Sequence, residues 1–186
     1  EEKDVDEFQR RFAKVVNYGL AYGMEAYGLG QRLDIPTDQA REILDRYFES
    51  FPNVHAFMER TVAEAKTRGY TTTILGRRRQ ITELAASNFR LRQMGERMAQ
   101  NAPVQGSAAD LFKLAMVDLD RALDGAGLDS RMILTVHDEL VLEVPLGERE
   151  ELEPLVKDVM ESVTELRVPL VVDLGFGATW AEAKSH

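Results

Sequence analysis

Met132-Ile-Leu-Thr-Val136-His137-Asp138-Glu139-Leu140-Val-Leu-Glu-Val144 decides how this chain is read. Two apolar runs rich in β-branched residues, Met132 to Val136 and Leu140 to Val144, flank an acidic tip. The alternation predicts a β-hairpin buried on at least one face, with His137-Asp138-Glu139 as its turn. A tight turn presents adjacent carboxylates together at the edge of a core. Such pairs are hard oxygen ligands, and Mg²⁺ is held by one or two of them plus substrate phosphates. Taken alone, a polar hairpin tip is the commoner meaning of the same residues.

A second pattern stands near the N-terminus, where Arg10, Lys14, Tyr18 and Tyr22 recur every four residues. On an α-helix these share one face, two cations followed by two rings. Arg as a planar fork and Lys as a point charge grip phosphate oxygens. Rings one and two turns further on would stack on a base or close against a sugar. The plain alternative is a solvated basic face running into a core stripe.

Arg97, Asn101 and Gln105 also stand four apart. They share a face if the helix stays regular through Pro103. One donor and two amides that both donate and accept suit the DNA minor groove, where every base pair offers acceptors at N3 or O2. A solvated helix face is again the alternative.

Together these stretches resemble family A DNA polymerases, the bacterial DNA polymerase I type. Arg10-Arg-Phe-Ala-Lys14-Val-Val-Asn17-Tyr18-Gly-Leu-Ala-Tyr22-Gly23 resembles the family's motif B on the fingers helix, and Val136-His137-Asp138-Glu139 resembles motif C in the palm. Arg97-Met-Ala-Gln-Asn101-Ala-Pro103-Val-Gln105-Gly106-Ser-Ala-Ala-Asp110 lies between them in the family's order, and the likeness runs on to Gly177-Ala-Thr-Trp180. Only Glu1 to Gln9 precedes motif B, with nothing that resembles the apolar strand and aspartate of motif A. The chain is therefore expected to be the C-terminal part of a polymerase, inactive alone.

The resemblance implies an α+β fold, with a helical fingers segment (residues 1–69) attached to an antiparallel-sheet palm (residues 70–186). It implies template-directed nucleotide transfer to a primer 3′-hydroxyl with two Mg²⁺ ions (Mn²⁺ an alternative). Asp138 is then the metal ligand and Glu139 an accessory carboxylate. Arg10 and Lys14 hold the β- and γ-phosphates, with Lys14 also able to protonate pyrophosphate. Tyr18 packs by the incoming sugar and Tyr22 by the templating pair. Arg97, Asn101 and Gln105 lie near the primer–template junction and His137 near the primer terminus. Implied partners are primer–template DNA, deoxynucleoside triphosphates and the rest of the polymerase (motif A, thumb, exonuclease-like domain). The family often has Phe where Tyr18 stands, which bears on sugar selection.

Composition sets the outer bounds. At 186 residues the chain can build one real core or two small lobes. The absence of Cys excludes disulfides and thiolate metal sites and fits a reducing, cytoplasmic compartment. No apolar run approaches the roughly 20 residues of a membrane span. The net charge of −9 argues against a generic nucleic-acid binder. However, Gly76 to Arg97 holds Arg77, Arg78, Arg79, Arg90, Arg92 and Arg97 against Glu83 and Glu96. That tract can neutralise several phosphates, and Arg77 is assigned with it to DNA binding.

Helices are expected over Phe8–Tyr22, Ala26–Leu33, a stretch opened by Pro36 and capped by Thr37, and Val54–Thr67. A hairpin follows over Tyr70–Leu75 and Arg79–Ile81. A long helix spans Asn88–Leu123, with a bend or break at Pro103. An acidic helix over Gly147–Leu166 and a last strand over Val168–Gly175 close the chain. His55 and His186 lack partners at metal-ligand spacing, Met94, Met98 and Met116 read as packing, Asp110 as a cap or solvent-facing residue, and Asp173 as a strand residue.

The competing readings are a non-catalytic nucleotide- or nucleic-acid-binding fragment that folds against its missing half, and a carboxylate-metal phosphohydrolase. The second lacks the usual His-rich ligands.

Overall fold

The computed structural model describes residues 5–184, so His186 lies outside the described residues. The order is α1 (Glu7–Ala21), α2 (Ala26–Leu33), α3 (Thr37–Ser50), α4 (Pro52–Arg68), β1 (Tyr70–Thr72), β2 (Arg78–Gln80), a 3-10 turn (Thr82–Ala85), α5 (Phe89–Ala126), β3 (Arg131–Val136), β4 (Glu139–Glu143), α6 (Arg149–Glu161) and α7 (Trp180–Ala183). Helices with two small antiparallel sheets make an α+β fold, as expected. The chain divides into two compact units, the described residues up to Ser107 and those from Ala108.

In the first unit, α1 starts at a capping box. The Gln9 N–H donates to the Asp6 carboxylate at 2.7 Å, and the Asp6 N–H donates to the Gln9 side chain at 3.1 Å. Val16 and Leu20 bury one face of α1 against Leu29, Ala40 and Leu44 of the next two helices. The helix stops in a Schellman turn, in which the Gly23 N–H donates to Leu20 and the Met24 N–H to Gly19, both at 2.8 Å. Gly23 has φ +67, the left-handed region that favours glycine. Thr37 proves to be the first residue of α3 and makes no side-chain cap, because extended Pro36 occupies the cap position. Pro52 opens α4, where its missing N–H costs nothing, and Gly69 at φ +77 ends it.

Strands β1 and β2 pair from Tyr70↔Gln80 to Thr72↔Arg78. Ala65, Ile81 and Ala99 form the small core under this hairpin, joined by partly buried Met98.

α5 runs unbroken through Pro103, contrary to the expected bend or break. Ala99 and Ala102 are buried in the turn before it, and this packing offsets the single hydrogen bond that proline removes. Asp110 also departs from expectation. It is neither a cap nor solvent-facing but buried inside α5, with an interaction partner.

In the second unit, Leu119 and Leu123 of α5 and Leu152 and Val156 of α6 form the core that the hairpin covers with Met132, Leu140 and Leu142. Each such leucine contributes about 1.5–3 kcal/mol by leaving water. β3 and β4 pair from Arg131↔Glu143 to Val136↔Glu139, with a bulge between Met132 and Leu134 that leaves Ile133 extra. Glu148 clamps the strand entrance: its carboxylate accepts from the Asp129 N–H (2.8 Å), the Ser130 N–H (2.9 Å) and the Ser130 hydroxyl (2.6 Å).

α6 is shorter than expected, Arg149–Glu161. The strand expected over Val168–Gly175 does not form. No other described strand lies beside it, and the Val172 N–H donates to the Glu161 carboxylate at 2.9 Å instead of to a ladder. β-propensity records fit to a pleated neighbour, so without one the apolar run stays irregular. Asp173 is exposed in this irregular stretch.

Candidate active site

Because α1 is regular, Arg10, Lys14 and Tyr18 align on one side of it, with Tyr22 at the cap, opposite the face that Val16 and Leu20 bury. All four side chains are exposed, Tyr18 by 60% and Tyr22 by 57%. Rings this open are not core aromatics. Neither the Arg10 nor the Lys14 side chain has a hydrogen-bond or ion-pair partner among the described residues. Two unneutralised cations and two bare rings in line form a surface able to receive an anion with a planar group behind it.

The end of α1 lies against α5. A Cβ on Gly23 would come within 3.2 Å of the Arg97 Cβ and 3.1 Å of the Gln100 amide oxygen, so only glycine fits without displacement. The unbroken α5 keeps Arg97, Asn101 and Gln105 in phase. All three are half-buried rather than solvated. The Asn101 side-chain oxygen is buried with no hydrogen-bond partner among the described residues. A buried unpaired acceptor costs about 1–3 kcal/mol unless something donates to it.

The sequence did not expose one partner. The Glu25 carboxylate accepts from Arg97 at 3.4 Å and from Gln93 at 3.3 Å. No spacing rule links Glu25 to α5; only the turn after Gly23 brings it there.

Arg77 is exposed in the β1–β2 turn, where its N–H donates to the Thr73 hydroxyl at 3.1 Å. The turn is seated on α5. The Ser107 hydroxyl accepts from the Ile74 N–H at 2.9 Å, and a Cβ on Gly106 would lie 2.7 Å from the Thr73 methyl. Gln105 and the Arg77 turn are thus neighbours in the first unit.

In the second unit, the acidic tip differs from expectation by one residue. Val136 pairs with Glu139, so His137 and Asp138 alone form the turn and Glu139 opens β4. A two-residue hairpin needs a positive φ, and His137 supplies it at +58. That conformation is uncommon for a residue with a side chain, though histidine adopts it more readily than most. His137 and Asp138 are exposed. The Asp138 carboxylate has no partner among the described residues, whereas Glu139 is 2.9 Å from the Lys184 ammonium. Lys184 is the second residue that sequence reading missed.

An Mg²⁺ ion fits this tip only in part. Asp138 offers a free hard-oxygen ligand, but among the described residues no three His, Asp or Glu side chains gather where an ion could be held. The chain can supply one carboxylate, with the other ligands coming from elsewhere, in keeping with the habits of Mg²⁺. His55, by contrast, stacks on Phe48 at 4.5 Å between centroids and lies 3.7 Å from Glu59, a structural role. Among the described residues no helix is long and apolar enough to cross a membrane.

Comparison with known proteins matches this architecture. DNA polymerase I of Bacillus caldotenax is 51% identical over 183 residues, which is 98% of this chain and 21% of that protein. DNA polymerase I of Mycobacterium tuberculosis (strain H37Rv) is 50% identical over 177 residues, 95% of this chain and 20% of that protein. Among solved structures, the POL domain of Pol1 from M. smegmatis, in complex with DNA primer-template and dNTP, superimposes with a TM-score of 0.93. It is 48% identical, and the match covers 97% of this chain and 32% of that one. The chain thus spans about a fifth of the length of the curated relatives it matches. The sequence profile of DNA polymerase family A covers residues 1–182, and the chain belongs to that family.

Proposed function

We propose that this chain is the fingers and palm portion of a DNA-directed DNA polymerase, with fingers over residues 1–69 and palm over residues 70–186. The observation that carries the reading is the exposed line of Arg10, Lys14, Tyr18 and Tyr22, its side chains unpartnered among the described residues, on a helix whose other face is core. Its substrates are deoxynucleoside triphosphates and primer–template DNA, as bound by the M. smegmatis domain. Its other partner is the remainder of the polymerase. A cytoplasmic location and a role in replication and repair follow from the same reading.

Arg10 forks onto the β- and γ-phosphates, and Lys14 lies one turn further along. The primer 3′-hydroxyl gives its proton to solvent as its oxygen attacks the α-phosphorus in line, the bond to the bridging oxygen breaks, and pyrophosphate leaves. Lys14 donates a proton to that departing oxygen as a general acid. Tyr18 sets the sugar against the helix and Tyr22 closes on the templating pair. Arg97, Asn101, Gln105 and Arg77 hold the duplex, and His137 meets the primer end. Asp138 would hold Mg²⁺, with a second carboxylate supplied by the remainder of the polymerase. When bound, two such ions supply charge stabilisation at the attacking and leaving oxygens.

Primer extension with Mg²⁺, by the 186-residue chain alone and mixed with the upstream polymerase segment, tests the proposal. No extension alone and extension with the segment is expected. Failure of the mixture, together with full activity of a complete polymerase carrying D138N, would favour a non-catalytic binding fragment.

A further inference from the structure

Asp138 and Glu139 are adjacent carboxylates with opposite fates. Among the described residues Asp138 is free, while Glu139 is 2.9 Å from the Lys184 ammonium. Lys184 does not reach Glu139 on a loose tail. It is the C-cap of α7, whose N-terminus is closed by the Thr179 hydroxyl accepting from the Glu182 N–H at 3.3 Å. The Ala178 N–H donates to the Glu182 carboxylate at 2.9 Å, tying this short helix to the segment before it.

The same segment presses closely on α7. A Cβ on Gly177 would lie 2.7 Å from the Ala183 nitrogen, and one on Gly175 would overlap the Ala183 carbonyl. Leu174, next to them, packs on the core of the second unit. The Lys184 ammonium also lies 5.1 Å from the centre of the Trp180 ring, within cation–π range. Core, glycine contact, cap and ring therefore all fix where this ammonium sits.

We infer that Lys184 is a positioning residue for Glu139: it neutralises that carboxylate and leaves Asp138 as the single unpaired charge at the hairpin tip. Two like charges side by side disfavour each other, and a cation on one removes the conflict. The inference rests on the polymerase reading for its meaning, but its test does not depend on turnover.

The probe is Mn²⁺ alone, titrated by electron paramagnetic resonance into a complete polymerase carrying this segment, with primer–template bound and no nucleotide. Lys184→Met keeps the side-chain stem and removes the charge, so Glu139 becomes a second free carboxylate. Mn²⁺ should bind about thirtyfold tighter, the effect of one unit charge on a divalent ion at about 4 Å in water. Lys184→Arg should restore the native affinity. In a Glu139→Gln background, Lys184→Met should change nothing.

Melting curves for each variant separate a folding defect from a charge effect, since Lys184→Arg and Lys184→Met would then fall together. The inference is overturned by an unchanged affinity in Lys184→Met, by equal shifts in the Met and Arg variants, or by a shift that persists without Glu139. Asp138→Asn, assayed for turnover in the same polymerase, tests the underlying reading separately. Full turnover there would sink the polymerase site while leaving the Lys184–Glu139 coupling measurable.

Discussion

The two units present charge in opposite ways. In the first, Arg10 and Lys14 of α1 have no side-chain partner among the described residues, held out by a helix whose other side is core. In the second, the acidic tip is already partly answered, since Glu139 has Lys184 and, among the described residues, Asp138 alone is open. A straight helix fixes where a side chain stands without contacting its head group, so cations on it can remain bare. A two-residue turn fixes little beyond its backbone, so the carboxylate next to it needs a partner from elsewhere. A triphosphate would therefore meet a face built by periodicity, and a metal ion a face built by tertiary contact.

The sharpest test of that contrast is Asp138→Asn in a complete polymerase. Turnover should fall at least about a thousandfold, the upper range for losing one preorganised electrostatic group, with duplex affinity nearly unchanged. Equal losses in turnover and affinity, measured by single-turnover kinetics and duplex titration, would make the tip a binding element and erase the difference between the units.

Next in size is Lys14→Ala, expected to cost about a hundredfold in the chemical step and to weaken nucleotide binding. Arg97→Ala should act on primer–template affinity instead. Nucleotide titrations that place the larger nucleotide defect on Arg97→Ala would reverse the two faces of the first unit.

Tyr18→Phe is a smaller perturbation. The ring stays and only the hydroxyl goes, so normal incorporation should survive. Discrimination against a nucleotide lacking its 3′-hydroxyl should rise, because a polar contact beside the sugar is lost. The ratio of dideoxy to deoxy incorporation efficiencies reads this directly, and an unchanged ratio would leave Tyr18 with packing alone.

The smallest effect belongs to Glu148. The Ser130 hydroxyl, with the Asp129 and Ser130 N–H groups, holds its carboxyl below the usual glutamate value. Its stabilising contribution is full above that value and fades as pH falls through the depressed pKa. Glu148→Gln should therefore melt below the native chain at neutral pH, with the gap narrowing in acid. A gap that stays constant as pH falls would show that the clamp works without its charge.

How much the sequence revealed follows the same divide. The α1 stripe could be read because period and chemistry coincide, and Asp6, Gly23, Pro52 and Gly69 punctuate helices by local rules. The Val168–Gly175 strand was misread because β-branched residues report a pleated neighbour that this chain does not place there. Asp110 was misread because a charge in mid-helix usually points outward. The Lys184–Glu139 and Glu25–Arg97 pairs could not be read at all, since they depend on where two turns bring distant segments. The turn itself was misjudged by one residue, because composition alone does not separate a three-residue tip from a two-residue turn with a strained histidine.

The extra residue at Ile133 gives the hairpin a parity. Met132 opposes Leu142, and after the bulge Leu134 opposes Val141 and Thr135 opposes Leu140. Since Leu140 and Leu142 share the core face, β3 must lose one step of alternation between Met132 and Thr135 to stay in phase with them. Deleting Ile133 would set Met132 directly before Leu134, and Leu134, Thr135 and Val136 would keep Val141, Leu140 and Glu139 opposite them in unbroken alternation. Asp138 would then stand on the same side of the sheet as before. The bulge absorbs the odd residue, so the carboxylate five residues away stands where a regular ladder would put it.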